Sequence, residues 1–111
     1  MTEHIAHKIC TPCTGGVPPM SAEESAKMLL QTPDWNLNDD GRRIQRSFTF
    51  KEFAAAFKFV ERVSDLAEHE GHHPDISFGW GYVTVSLQTH KINGLHENDF
   101  ILAAKIDRLP R

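Results

Sequence analysis

The sequence lacks any apolar run close to the roughly 20 residues that a membrane-spanning helix requires. Its first eight residues are mostly polar and lack the apolar core of a secretory signal peptide. We therefore expect a soluble, cytoplasmic protein that does not bind a membrane.

An excess of positive charge is also missing. The chain has 12 lysines and arginines against 15 aspartates and glutamates, a formal net charge of -3, and these side chains are scattered along it. A protein that binds DNA or RNA directly needs a basic surface to replace the counterions of the phosphate backbone. We therefore expect no direct nucleic-acid partner.

Cysteine is scarce, since the chain has only Cys10 and Cys13, in a C-x-x-C arrangement. A redox pair of the thioredoxin type opens a helix, whereas two glycines and two prolines follow here. Together with His4 and His7 the segment presents four zinc-type ligands, but zinc fingers separate their two ligand pairs by a longer loop. We interpret the segment as a structural tail, with a metal site and redox chemistry as the alternatives.

The overall composition is that of an ordinary globular domain. Hydrophobic residues make up 40% of the 111 residues and charged residues 24%. A chain of this length forms one domain. We predict an irregular N-terminal arm at residues 1–20 and a single domain at residues 21–111.

Three segments have the patterns of helices. Ser21 and Glu24 form a capping box that predicts a helix at residues 22–31, and the last helix is predicted at residues 97–109. The longest is predicted at residues 51–70, where apolar side chains recur at helical spacing. We expect its core stripe to consist of Phe53, Phe57, Val60, Ser64 and Ala67, widened by Phe59, Val63 and Leu66.

Two hairpins are predicted between these helices. Asp40-Gly41 is a turn signal between strands at residues 35–37 and 42–50. A second pair lies at residues 76–80 and 82–89, where Val83, Val85 and Leu87 alternate with polar residues. The order α-β-β-α-β-β-α predicts an α+β fold, with a four-stranded antiparallel sheet and three helices on one face.

Seven histidines are present, and three of them are placed to meet. His72 and His73 precede one predicted strand and His90 ends the next, so a hairpin would bring them to the same end of the sheet. Imidazole transfers protons near neutral pH and also binds metals. From the residues alone, this group could be an acid-base site, a metal site or part of an exposed loop.

The spacing around these histidines resembles the signature of the pterin-4a-carbinolamine dehydratase family. The matching residues are Glu68, His72, His73, Pro74, Trp80, His90 and Asp99. The resemblance extends over about residues 21–109 and leaves the arm with Cys10 and Cys13 outside it.

The resemblance implies dehydration of 4a-hydroxytetrahydropterin to quinonoid dihydropterin, which recycles the cofactor of aromatic amino-acid hydroxylases. Loss of water requires an acid at the departing hydroxyl and a base at a ring nitrogen. We expect His72 and His90 to act on the hydroxyl from either side of the ring. His73 would orient the pterin or serve as base, and no metal or cofactor would be needed.

Four further residues are expected to support substrate binding. Glu68 would accept a histidine N–H or bind the amino-pyrimidine edge, unless it is simply solvated. Asp99 would hold the region of His90 or the start of the last helix, and Pro74 would fix the loop. Trp35 would lie on the pterin at the mouth of the pocket, with core packing as the alternative.

The same resemblance leaves a second class of function open, because animal members of the family also act as dimerisation cofactors for a transcription factor. It further implies a homodimer or homotetramer and a functional link to an aromatic amino-acid hydroxylase. No stripe of residues in the sequence identifies a partner surface.

Overall fold

A computed structural model describes residues 4–11 and 15–111, so Cys10 is described, whereas Cys13, the other half of the C-x-x-C pair, lies outside the described residues. Its helices are α1 (Ala22–Leu29), α2 (Phe53–Glu70) and α3 (Glu97–Asp107). Its strands are β1 (Asn36–Asn38), β2 (Arg43–Thr49), β3 (Asp75–Gly79) and β4 (Tyr82–Leu87). Short 3-10 turns at Ile5–His7 and His90–Ile92 complete the elements. The predicted α-β-β-α-β-β-α order is confirmed.

The four strands form one antiparallel sheet in the order β1-β2-β4-β3. Alternation along β4 buries Val83, Val85 and Leu87 completely. On the opposite face the hydroxyls of Ser47 and Thr84 lie 2.9 Å apart across neighbouring strands. One face is therefore apolar and covered by helices, and the other is polar, which confirms the predicted α+β architecture.

The long helix α2 buries part of the predicted stripe, including Phe59, Val63 and Ala67. Its buried residues are Ala56, Phe59, Val63 and Ala67. The predicted stripe was wrong for Phe53 and Phe57, which are 50% and 47% exposed and pack on the ring of Phe78. Two neighbouring stripes of this helix are apolar, and the small side chain of Ala56 lies on the one that meets the core.

Both short helices begin with reciprocal caps. The Ser21 hydroxyl accepts the Glu24 N–H and the Glu24 carboxylate accepts the Ser21 N–H, as the sequence predicts. In α3, Nδ1 of His96 accepts the Asn98 N–H and the Asp99 carboxylate accepts the His96 N–H. Within residues 4–11 and 15–111, no helix combines the length and the apolar character needed to cross a membrane.

The described part of the N-terminal arm packs on the domain. Ile5 is 1% exposed and belongs to the same buried cluster as α3 residues such as Phe100. The backbone N–H of Ile5 donates to Oε1 of Gln31, at 3.0 Å. Apart from its 3-10 turn, the described arm has no helix or strand, but its position is fixed by core contacts.

Candidate active site

The turn after α2 carries the paired histidines. Gly71 ends the helix with φ +67, a left-handed conformation that glycine adopts without steric cost. The N–H groups of Gly71 and His72 both donate to the carbonyl of Ala67, at 2.9 and 3.3 Å. The chain therefore leaves the helix sharply, and His72 and His73 follow immediately.

The second hairpin brings His90 to the same place. β3 and β4 are antiparallel, with Asp75 opposite Ser86, so the start of β3 and the end of β4 share one end of the sheet. A cavity of about 340 Å³ opens there. Its lining consists of Thr11, Gly71, His72, His73, Gln88, Thr89, His90, Lys91 and Asn98. The expected meeting of the three histidines is confirmed, while their catalytic role stays a prediction.

His72 is held by a buried carboxylate. Its Nε2 lies 2.6 Å from Oδ1 of Asp99, whose side chain has no exposure, and the imidazole itself is only 12% exposed. The other carboxylate oxygen accepts the Thr89 hydroxyl at 2.8 Å and the His96 N–H at 3.0 Å. An ionised carboxylate only accepts hydrogen bonds, so His72 donates to it from Nε2, and in the neutral imidazole Nδ1 is then the acceptor.

The other two histidines are more open to solvent. His73 Nε2 is paired with the carboxylate of Glu68, and both side chains are more than half exposed. His90 is 70% exposed, and its Nε2 lies 3.9 Å from Oδ2 of Asp75. The site thus combines one fixed, nearly buried imidazole with two accessible ones.

The remaining predicted site residues lie behind or away from the cavity. Asp99 contacts His72 and Thr89 rather than the open space. Pro74 follows the paired histidines and leads into β3. Trp35 is 3% exposed, and its indole N–H donates to Asp107 at 2.9 Å while its ring meets Phe48 edge-on. The structure places Trp35 in the core, apart from the three histidines.

Trp80, which matches the aromatic position of the signature, is 73% exposed beside the turn of the β3–β4 hairpin. This turn is at the opposite end of the hairpin from the histidines. Trp80 therefore does not border the cavity.

Six lining residues had not been singled out as site residues from the sequence. Two of them, Gly71 and Thr89, directly precede His72 and His90 in the chain. Gln88 and Lys91 lie within two residues of His90 in the chain, so the position of His90 could have indicated that they border the site. Thr11 and Asn98 are 87 positions apart in the chain and carry no local signal. Their place at the site depends on the packing of the arm against α3.

A larger groove, of about 500 Å³, lies along β1 and β2. It shares no lining residue with the histidine cavity, and its Arg46 is already ion-paired to Asp107 at 2.7 Å. We assign the site to the smaller cavity, because three imidazoles there can exchange protons with a ligand.

No group of three or more His, Cys, Asp or Glu side chains is arranged to hold a metal within the described ranges. In the arm, His4 Nδ1 accepts the Ala6 N–H and the Cys10 thiol lies 3.6 Å from the Asn98 carbonyl oxygen. Both side chains therefore contact backbone groups of the protein, His4 within the arm and Cys10 on α3.

The comparisons with known proteins agree on the class of protein. The family model described as pterin 4 alpha carbinolamine dehydratase matches residues 18–109. Relatives from Aromatoleum aromaticum and Methylococcus capsulatus are 58% and 57% identical, over 98% and 95% of this chain and 97% and 92% of their own. Each bears the name "Putative pterin-4-alpha-carbinolamine dehydratase". The chain belongs to the pterin-4a-carbinolamine dehydratase family.

Solved structures support the same fold and carry varied descriptions. A transcriptional coactivator/pterin dehydratase from Brucella melitensis is 34% identical, with a TM-score of 0.75 over 80% of this chain and 95% of that one. A pterin dehydratase-like protein described as a RuBisCO assembly factor of the alpha-carboxysome is 27% identical, with a TM-score of 0.58. It matches 67% of this chain and 86% of its own.

Proposed function

We propose that this protein catalyses the dehydration of 4a-hydroxytetrahydropterin to quinonoid dihydropterin and water, in the cytoplasm. The reaction would recycle the cofactor of an aromatic amino-acid hydroxylase. The observation that carries the proposal is the hydrogen bond from His72 Nε2 to the buried Asp99 carboxylate, beside a cavity that His73 and His90 also line. Family membership supports the same reaction class.

The chemistry follows from proton balance. The bond between carbon 4a and its hydroxyl oxygen breaks, the oxygen takes a proton and leaves as water, and a proton leaves the neighbouring ring nitrogen. Asp99 holds His72 through Nε2, so that Nδ1 is the acceptor of the neutral imidazole. His72 and the exposed His90 form the acid-base pair. His73, paired with Glu68, orients the pterin. Solvent restores both protonation states between turnovers.

We propose that no metal or cofactor takes part, because the dehydration requires only proton transfers that imidazoles supply near neutral pH. Turnover should survive exhaustive dialysis against a chelator. Loss of turnover that added zinc restores would contradict this part of the proposal.

The test of the whole proposal is dehydration of chemically generated carbinolamine, followed by its absorbance. The wild-type protein should accelerate the reaction, and His72→Ala or His90→Ala should lower kcat by roughly 10² or more, the scale of a general acid or base. His69→Ala is the matched control, because His69 is an exposed histidine near the end of the same helix. Full activity in both the His72 and the His90 variants would refute the assignment.

A second candidate function is protein binding. Phe53 and Phe57 are half exposed on α2 and lie on the ring of Phe78, so an apolar surface is open in the single chain. The Brucella melitensis neighbour, described as a transcriptional coactivator as well as a pterin dehydratase, gives this candidate a precedent. A protein that binds partners but leaves the carbinolamine unaffected would favour it over catalysis.

We also propose that the protein is a homodimer or homotetramer that covers this aromatic surface. Sedimentation equilibrium should then give two or four times the mass of the chain. Phe57→Glu should shift the equilibrium toward the monomer, because a carboxylate would have to be buried at the interface. A wild-type protein that sediments as a monomer would rule this out.

A further inference from the structure

The N-terminal arm forms part of the wall of the candidate active site. Thr11 is exposed and borders the cavity together with His72, His73 and His90. The family model begins at residue 18, so Thr11 lies outside the matched segment. The histidine signature therefore does not account for this side of the cavity.

A single buried side chain fixes the backbone of Thr11. The Thr11 N–H donates to Oδ1 of Asn98 at 2.9 Å, and Nδ2 of Asn98 donates to the Thr11 carbonyl at 2.5 Å. Asn98 is only 2% exposed. Both ends of a buried amide are thus engaged with one residue of the arm, which fixes the position and the orientation of that residue.

The preceding residue is anchored to a different element. The Cys10 N–H donates to Oε1 of Glu70 at 3.0 Å, and Oε2 of Glu70 pairs with Lys105 at 2.9 Å. The Glu70 side chain is only 4% exposed. The end of the described arm is therefore fastened to both α2 and α3.

These anchors adjoin the catalytic histidines. Glu70 lies two residues before His72, and Asn98 directly precedes Asp99, which holds His72. The end of the described arm is therefore held at a fixed position relative to the imidazoles. Because its position is fixed, Thr11 can contact a bound ligand at a defined point of the cavity.

We propose that Asn98 is a positioning residue that holds Thr11 against the bound pterin, and that Thr11 contributes to substrate affinity but not to proton transfer. This inference rests on the dehydratase function proposed above. It adds a substrate-binding element that the family signature does not contain.

The test separates binding from chemistry. Asn98→Ala should free the backbone of Thr11 and raise KM by roughly fivefold, the scale of one hydrogen bond, with kcat and its pH profile unchanged. Thr11→Ala should also raise KM, because it removes the contact while leaving the Asn98 anchor in place. Hydrogen exchange at the Thr11 amide should accelerate in Asn98→Ala and not in Thr11→Ala.

Asn38→Ala is the matched control, because its amide donates to Gln45 at the far edge of the sheet. It should leave KM, kcat and Thr11 exchange unchanged. A freed Thr11 amide with an unchanged KM would overturn the proposal, as would a fall in kcat with unchanged KM, which would mean that Asn98 acts through Asp99.

Binding of a fluorescent oxidised pterin supplies a readout that does not need turnover. Wild-type protein should bind it more tightly than Asn98→Ala and Thr11→Ala. Equal affinity in all three proteins would overturn the role of the arm. A wild-type protein that binds the pterin without turning over the carbinolamine would count against the dehydratase function alone.

Discussion

His72 and Asp99 are joined by a 2.6 Å hydrogen bond between a nearly buried imidazole and a carboxylate with no exposure. Asp99 also accepts the Thr89 hydroxyl, next to His90 in the chain. One buried carboxylate thus connects the turn that carries His72 with the turn that carries His90. Under the proposed function, Asp99 would be a positioning residue for the acid-base groups.

Replacing Asp99 with asparagine should therefore impair catalysis. An amide has one acceptor oxygen where the carboxylate has two, so it cannot replace the carboxylate as acceptor for His72, Thr89 and His96 together. His72 also loses the partner that selects its tautomer. We expect kcat to fall by roughly 10² or more and the free energy of unfolding to fall by roughly 1 to 3 kcal/mol. Steady-state kinetics measures the first effect and urea denaturation the second.

Asp107→Asn provides the control for a loss of stability alone. Asp107 accepts the Trp35 indole N–H and an Arg46 N–H, and it does not border the cavity. This variant should lose stability yet retain its turnover. If both variants lost kcat equally, the special role of Asp99 would be untenable.

The pair of Glu70 and Lys105 should make stability depend on pH in the acid range. Burial by itself would raise the pKa of Glu70, but the Cys10 N–H and the Lys105 ammonium lower it below its ordinary value. A lowered folded-state pKa contributes stability that is present above the unfolded value, about 4.5, and is lost as pH falls through the folded-state value.

Glu70→Gln should accordingly cost roughly 1 to 3 kcal/mol at neutral pH, the range for hydrogen bonds to charged groups. The difference from wild type should shrink as pH falls below about 4.5. Urea denaturation across pH measures this, with the exposed Glu61→Gln as control. A difference between wild type and Glu70→Gln that did not change with pH would refute the assignment.

The Cys10 thiol should be unreactive despite its position near the surface. Burial, and secondly the charge of Glu70, raise its pKa from 9.0 to about 12. At pH 8 the thiolate fraction is then about a thousandfold smaller than for an ordinary thiol, and the thiolate is the reactive form.

Alkylation by iodoacetamide should therefore be about a thousandfold slower at Cys10 in native protein than in urea-unfolded protein. Peptide mass spectrometry measures the alkylation of Cys10 separately from that of Cys13. Equal rates in the native and unfolded protein would show that the arm does not bury this thiol in solution.

Phe59 should be the residue of α2 on which stability depends most. It is fully buried, with ring centroids 4.7 Å from Phe48 and 5.3 Å from Phe50. Phe59→Ala should cost about 3 to 5 kcal/mol because it leaves a cavity in the core. Phe53→Ala, at a half-exposed position on the same helix, should cost clearly less, and equal losses in chemical denaturation would contradict the observed stripe.

The helical and strand patterns predicted the elements well, because local signals are strong where the periodicity is clean. The capping box at Ser21 and the alternation of Val83, Val85 and Leu87 each have a single interpretation. The apolar pattern of α2, in contrast, did not have a single interpretation. Phe53 and Phe59 lie on adjacent apolar stripes, and which stripe becomes buried depends on the sheet against which the helix packs.

The site shows the same division. The spacing of His72, His73 and His90 indicated that the three imidazoles meet, since an antiparallel hairpin brings its two ends together. The spacing could not show that Asp99 holds His72, because 27 residues separate them and only the packing of α3 joins them. Likewise, Trp35 is an aromatic residue suited to either a pocket or a core, and burial decided for the core.

The sequence by itself determined the order of the elements, the signature of the family and the three histidines that converge. These depend on short-range periodicity and on fixed spacing along the chain. Only the tertiary structure decided which carboxylate orients which imidazole and that Thr11 of the arm borders the cavity. Those contacts join residues that are distant in the chain, and they exist only once the helices and the arm have packed on the sheet.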